Sequence, residues 1–109
     1  MEFKESKLGE FWVIELNGQL DTTRYTVLEK ALLGVIEKGG KKIVVNCSGL
    51  TYISSSGLRI LLIALKKIGA AGGVLRLCGL HDNIREILVI SGFTSIFSIF
   101  ETLEEAIKE

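Results

Sequence analysis

Proline is absent from this chain of 109 residues, while glycine occurs 12 times. The sequence also lacks low-complexity runs and blocks of like charge, which are typical of linkers and disordered tails. We therefore expect residues 1–109 to form a single compact domain. A chain of this length supports one core, which buries roughly two-thirds of the surface of the unfolded chain.

An excess of either charge is also missing, because 13 lysines and arginines balance 13 aspartates and glutamates. This balance argues against nucleic acid or an anionic membrane surface as a partner. The longest uninterrupted apolar run, Ile60–Leu65, is far shorter than the ~20 residues of a membrane-spanning helix, and the acidic start is unlike a signal peptide. We predict a cytoplasmic protein whose partner is another protein or a small ligand.

Cysteine is scarce, with Cys47 and Cys78 each at the end of a predicted strand. A buried thiol in such a place acts as a small hydrophobic side chain. Because the sequence has no paired-cysteine or cysteine–histidine ligand spacing, reduced core cysteines are favoured over a disulfide or a metal site. We expect neither a metal nor another cofactor.

Hydrophobic periodicity predicts an α/β fold of about five strands and about four helices. The first two strands are predicted to form a hairpin, and the later strand–helix–strand alternation is typical of parallel crossovers, so the sheet is expected to be mixed. Asp21, Thr22 and Thr23 are candidate caps of the first helix. The predicted strands are residues 2–7, 11–17, 41–46, 74–78 and about 96–100, with Asn17-Gly18 ending the second and Asn46 ending the third.

The most informative stretch is Ser54–Gly57, which we call the serine turn and which lies between a buried strand and a helix. The helix is predicted from five apolar residues at helical spacing: Leu58, Leu61, Leu62, Leu65 and Ile68. The serines then lie at a helix N-terminus, where N–H groups lack intrahelical partners and the helix carries partial positive charge. Serines that only cap the helix are the simpler interpretation, and an acceptor of phosphate is the alternative.

A serine hydrolase would require a base and an orienting acid, and His81 with Asp21 or Asp82 supplies these residue types. However, the Gly-x-Ser-x-Gly spacing of a nucleophile elbow is missing, and His81 beside Asp82 is more simply a helix-cap residue. A phosphate-binding loop is equally unsupported, since Gly34–Lys41 lacks a serine or threonine after the lysine. The residues therefore predict a binding or regulatory module and no enzymatic activity.

Four segments follow one another in the order of the motifs of a known family: Gly18–Asp21, Ile43–Asn46, Ser54–Leu58 and Ser91–Phe97. Through them the sequence resembles the STAS family of bacterial anti-sigma-factor antagonists over nearly its whole length. The hallmark of that family is an Asp-Ser-Ser-Gly-Leu step between a buried strand and a helix, which Ser54–Leu58 matches in all but its first residue. The resemblance implies a β-sheet flanked by helices.

The resemblance also implies that the protein binds a cytoplasmic anti-sigma factor that is a serine kinase, which frees the sigma factor for RNA polymerase. In the family, the kinase phosphorylates the serine after the acidic residue of the motif, and a phosphatase removes the phosphate. By this resemblance Ser55 is the acceptor, and Asp21 matches an acidic residue near that site. Ser54 stands where the family commonly has aspartate, so Ser54 and Ser56 stay open as acceptors.

A role without phosphorylation also stays open, either in a larger signalling assembly or as a nucleotide- or small-ligand-binding module. For the regulated form, we expect the partner to dock on the serine turn, the exposed side of the following helix and the region before the first helix. The predicted contact residues are Asp21, Arg24, Tyr52, Ser54, Ser55, Ser56, Gly57 and Arg59. Both a monomer and a weak dimer are compatible with the sequence.

Overall fold

A computed structural model describes residues 2–22 and 24–108 of the chain. Within these residues five strands form one sheet: β1 (Glu2–Leu8), β2 (Phe11–Leu20), β3 (Lys42–Ile53), β4 (Val74–Cys78) and β5 (Ser98–Phe100). They lie in sequence order, with β1 antiparallel to β2 and every later pair parallel. The predicted mixed sheet with a hairpin at its start is therefore confirmed.

The same described residues contain four α-helices and one short 3₁₀ turn. The helices are α1 (Tyr25–Glu37), α2 (Ser55–Ala70), α3 (Asp82–Ile90) and α4 (Leu103–Ala106), and the 3₁₀ turn is Phe93–Ser95. This number agrees with the prediction of about four helices. In the part of the chain that the structure describes, none of these helices has the length and apolar character needed to span a membrane.

The two central strands are longer than the sequence predicts. Neither Asn17-Gly18 nor Asn46 ends its strand, because β2 continues to Leu20 and β3 continues to Ile53. The register of the pairing between β2 and β3 shifts twice after Glu15. Like β-bulges, these shifts accommodate local irregularities of the backbone without ending the strands. Leu20 consequently pairs with Ile53, and the two strands end side by side.

The start of α1 also differs from the prediction. The N-cap position is Arg24, which makes no side-chain cap, and the helix begins at Tyr25. The backbone carbonyl of Asp21 accepts the N–H groups of Arg24 and Tyr25 at 3.1 and 3.0 Å. A backbone turn therefore leads into the helix; Thr23, one of the predicted caps, lies outside the described residues.

The main core lies between one face of the sheet and the helices that cover it, with α1 contributing Leu28, Leu32 and Val35. On α2 the buried side differs from the predicted stripe, because Leu62 and Leu65 are only half-buried. Ile60 and Ala64 are buried in their place. Because α2 packs against α1 as well as against the sheet, its buried face extends beyond the stripe that faces the strands and includes Ile60 and Ala64.

On the opposite face of the sheet, α4 packs against β3, β4 and β5. A second, smaller cluster forms there from Phe11, Val44, Cys78 and Ala106. On β4, the guanidinium of Arg76 donates to the backbone carbonyls of Ala106 and Lys108, each at 2.8 Å. This arginine therefore satisfies carbonyls at the end of α4 and holds the helix on the sheet.

Both cysteines are free thiols buried in the core, as the sequence predicts, although Cys47 lies within β3 and not at its end. Cys47 belongs to the main core and Cys78 to the second cluster, so they point to opposite faces of the sheet. Burial raises the pKa of Cys78 to about 11. Burial, followed by repulsion from Cys78, also raises the pKa of Cys47.

These thiols make the stability of the fold depend on pH in the alkaline range. In the unfolded chain they ionise near pH ~8.5, whereas in the folded protein they keep their protons, so the free energy of unfolding should fall as the pH rises from ~8.5 towards 11. Each thiol contributes at most about 1.4 kcal/mol per pH unit. Urea unfolding across this range measures how the free energy of unfolding changes with pH. The double variant Cys47→Ala/Cys78→Ala should be less stable at neutral pH, but its free energy of unfolding should change less with pH. An equal slope in both proteins would contradict this expectation.

Candidate functional site

The serine turn is held at the point where β2 and β3 end together. Ser54 has extended backbone, with φ −88° and ψ 169°, and its N–H donates to the carbonyl of Leu20 at 2.8 Å. Its hydroxyl oxygen accepts the N–H of Gly57 at 3.2 Å, and its carbonyl accepts the N–H of Leu58 at 3.0 Å. Ser54 is thus the N-cap of α2, which confirms the prediction that a serine caps this helix.

Gly57 closes the turn from the inside. It is buried, and a Cβ atom built on it would lie 2.8 Å from Cγ of Leu20 and 3.0 Å from Cγ1 of Ile53. Only glycine lets the first turn of α2 approach the ends of β2 and β3 this closely. The residue therefore supports the shape of the turn, and its direct contact with a partner stays a prediction.

The three hydroxyls of the turn differ in environment. Ser54 is half-buried, and its oxygen is used in the cap. Ser56 is also half-buried, and it lines a groove between α1 and α2. Ser55, the first residue of the helix, is exposed. Of the three serines, Ser55 is therefore the most accessible to another protein.

The groove beside Ser56 was not predicted from the sequence. It has a volume of about 240 Å³ and is lined by Tyr25, Glu29, Ser56, Arg59, Ile60 and Ile63. Tyr25 and Glu29 are four residues apart on α1, so one side of that helix faces the groove. This spacing is visible in the sequence, but the sequence does not tell which side of α1 lies against α2.

Of the other predicted contact residues, Tyr52 is 47% exposed on β3, and Arg24 and Arg59 are exposed at the start of α1 and in α2. Asp21 is half-buried directly after β2. Since Leu20 pairs with Ile53, Asp21 and Ser54 leave adjacent strands at the same edge of the sheet. The fold therefore brings the segment around Asp21 and the serine turn together, as predicted.

His81 does not join this group. It occupies the N-cap position of α3, but its side chain makes no cap, and its Nε2 lies 2.6 Å from the carbonyl oxygen of Ser48. A carbonyl only accepts, so Nε2 carries the proton of this hydrogen bond. His81 is the single histidine of the sequence, and its ring is engaged at the Ser48 carbonyl. It is therefore not placed to act as a base for the serine turn. Among residues 2–22 and 24–108, no group of three or more side chains is arranged to hold a metal ion.

These features define a small α/β domain that presents a capped, hydroxyl-rich turn at the carboxyl edge of a mixed sheet. The family model described as the STAS domain matches residues 5–106. The chain belongs to the STAS domain family.

Known relatives agree with this assignment. The chain is 34% identical over 106 residues to BtrV of Bordetella bronchiseptica, named as a candidate anti-sigma factor antagonist, with 97% of this chain and 91% of BtrV covered. A candidate anti-sigma factor antagonist from Thermotoga maritima has a similar structure, with a TM-score of 0.91, 23% identity and coverage of 95% of this chain and 90% of that one. At that identity the likeness concerns the fold.

A third comparison is with the Bacillus cell fate determinant SpoIIAA in its phosphorylated form. Its structure matches with a TM-score of 0.77 and 26% identity, over 97% of this chain and 96% of SpoIIAA. A protein of this fold and similar sequence is therefore known in a phosphorylated state.

The cap can be tested by removing one hydroxyl at a time. Ser54→Ala removes the acceptor of the Gly57 N–H and should lower the free energy of unfolding by about 1 kcal/mol. Ser55→Ala is the matched control, and it should change stability by less than about 0.5 kcal/mol because the side chain is exposed. Urea unfolding followed by circular dichroism compares the two, and a larger loss at Ser55 would refute this description of the turn.

The close approach at Gly57 gives a second test. Gly57→Ala adds a methyl group that must displace Leu20 or Ile53, so the variant should lose about 1–3 kcal/mol. Gly69→Ala, in the same helix, meets no atom within 4 Å and should gain up to about 1 kcal/mol from helix propensity. The midpoints of urea unfolding should therefore shift in opposite directions. Stabilisation by Gly57→Ala would show that the turn has room for a side chain.

Proposed function

We propose that this protein is an anti-sigma-factor antagonist that binds an anti-sigma factor with serine kinase activity and so releases a sigma factor. In this proposal, phosphorylation of Ser55 by that kinase switches binding off, and a serine phosphatase restores it. The observation that carries the proposal is the exposed hydroxyl of Ser55 at the start of α2, between two half-buried serines. The similarity of this chain to BtrV and to phosphorylated SpoIIAA supports it.

The partner is proposed to dock on the surface around the serine turn. This docking surface consists of Asp21, Arg24, Tyr52, Ser54, Ser55, Ser56, Gly57 and Arg59. Tyr52 is 47% exposed, and tyrosine and arginine are enriched in protein interfaces because each offers a large contact area with polar groups at its end. Gly57 contributes through the shape of the turn, since it is buried.

Ser55 is the preferred acceptor for physical reasons. The oxygen of Ser54 already accepts the Gly57 N–H, and a phosphate there would have to replace the cap. Ser56 lies half-buried in the groove that also contains Glu29, so a phosphate on it would be desolvated near a carboxylate. Ser55 is exposed and opens the helix, where the partial positive charge of the N-terminus tolerates an anion.

Electrostatics and desolvation are sufficient for the switch. A phosphate adds about −1.5 to −2 charges at the middle of the docking surface. Burying it against a partner without new cationic contacts is unfavourable, and a coupling of ~1–3 kcal/mol changes affinity about 5–150-fold. No change of fold is needed, since the modified residue lies outside the core. Phosphorylation from ATP fits a cytoplasmic setting.

The groove favours a protein partner over a small molecule. Its volume of about 240 Å³ is below the roughly 300–1,000 Å³ of typical ligand sites. Ile60 and Ile63 supply apolar surface beside the charges of Glu29 and Arg59, which suits a side chain of a docked protein. A hydrolase finds no support, because the His81 ring contacts the Ser48 carbonyl.

The kinase is first recovered from the native cell extract on immobilised protein, with and without ATP, and phosphate is detected by intact mass. Ser55→Ala should then bind this kinase as the parent does but gain no phosphate. Ser55→Asp should bind at least about 5-fold more weakly, because it places a charge in the interface. Titration calorimetry measures both affinities.

Ser6→Asp is the matched control for this experiment. Ser6 is exposed on β1, away from the serine turn, so the same added charge should leave the affinity unchanged. Equal affinities of Ser55→Ala and Ser55→Asp would remove the switch. Phosphate on Ser55→Ala would assign the acceptor to another residue.

A further inference from the structure

Arg59 has a position that the proposed docking surface does not fully explain. It lies on α2 four residues after Ser55 and three after Ser56, and it is exposed. In the described part of the chain its side chain makes no hydrogen bond, ion pair or ring contact. It also lines the groove together with Ser56, so its side chain lies on the side of α2 that carries Ser56.

We propose that Arg59 is an internal counter-ion for the phosphorylated serine turn and forms an ion pair with the phosphate on Ser55. In the phosphorylated protein the guanidinium of Arg59 is then paired with the phosphate, whereas in the unmodified protein it is available to a partner. This inference rests on the proposed function for the identity of the modified residue. It deepens that proposal by naming how the phosphate is held.

The spacing of the two residues supports the pair. Residues four apart on a helix are neighbours, with Cβ atoms roughly 5–6 Å apart, and an anion N-terminal to a cation is the favoured order. The guanidinium is planar and presents N–H groups in a fork that matches two phosphate oxygens. A phosphate extends the serine side chain towards the arginine, and neither group has to leave solvent for the contact to form.

The neighbouring charges set the competition for Arg59. Glu29 of α1 lines the same groove, so its carboxylate competes for the guanidinium and repels a phosphate. A phosphate carries about −1.5 to −2 charges, compared with −1 for the carboxylate, so the guanidinium of Arg59 should pair with the phosphate in preference to Glu29. Arg24 at the start of α1 and Asp21 before it are the other charged residues of the docking surface, and Arg24 is the alternative counter-ion.

The test needs no kinase. Phosphoserine is inserted at position 55 during translation, and the second pKa of the phosphate, ordinarily about 6, is measured by ³¹P NMR as the pH is varied. A nearby cation favours the dianion and lowers this pKa, so Arg59→Gln should raise it by about 0.2–0.4 unit relative to the phosphorylated parent. Arg59→Lys, which keeps the charge without the fork, should give an intermediate value.

Lys66→Gln is the control on the same helix. Lys66 is exposed and eleven residues from Ser55, a distance of roughly 16 Å along the helix, so its loss should leave the phosphate pKa unchanged. An equal pKa in Arg59→Gln and the parent, or a rise in Arg24→Gln alone, would overturn the proposal. Circular dichroism verifies that each variant is folded. Because the kinase is absent, this result is independent of whether Ser55 controls kinase binding.

Discussion

The site depends on the parallel pairing of β2 with β3, which makes the two strands end at the same edge. The hydrogen bond from the Ser54 N–H to the Leu20 carbonyl, 2.8 Å long, fixes the start of α2 against the end of β2. Gly57 allows this approach because any side chain would collide with Leu20. The exposed hydroxyl of Ser55 is thus presented by a part of the molecule whose backbone is anchored in the core.

This arrangement separates the hydroxyl that we propose is modified from the groups that maintain the fold. Ser54 caps α2, Gly57 packs under it, and Ser55 is in contact with solvent. A phosphate on Ser55 would change the charge of the surface while leaving the cap and the core in place. The proposed control of binding therefore needs only local electrostatics. Arg59 and Glu29 line the two sides of the groove, and in the proposal Arg59 attracts the phosphate while Glu29 repels it.

The errors of the sequence-based predictions have a common origin in tertiary pairing. Asn17-Gly18 and Asn46 carry local signals for the end of a strand, but a long parallel ladder extends β2 and β3 past them with two shifts of register. On α2, Ile60 and Ala64 are buried although the stripe that faces the sheet does not include them, because α1 covers a second side of the helix. Contacts between distant segments outweighed the local pattern in each case.

By itself, the sequence determined the element order, the mixed sheet, the membership of Cys47 and Cys78 in the core and the serine cap of α2. These follow from periodicity and from hydrogen bonds between residues close in the chain, which local composition encodes. Only the tertiary structure decided which serine is exposed, that Gly57 is packed against Leu20, and that Glu29 and Arg59 share a groove. Each of these depends on how segments far apart in the chain approach one another in space. A local sequence pattern does not encode that approach.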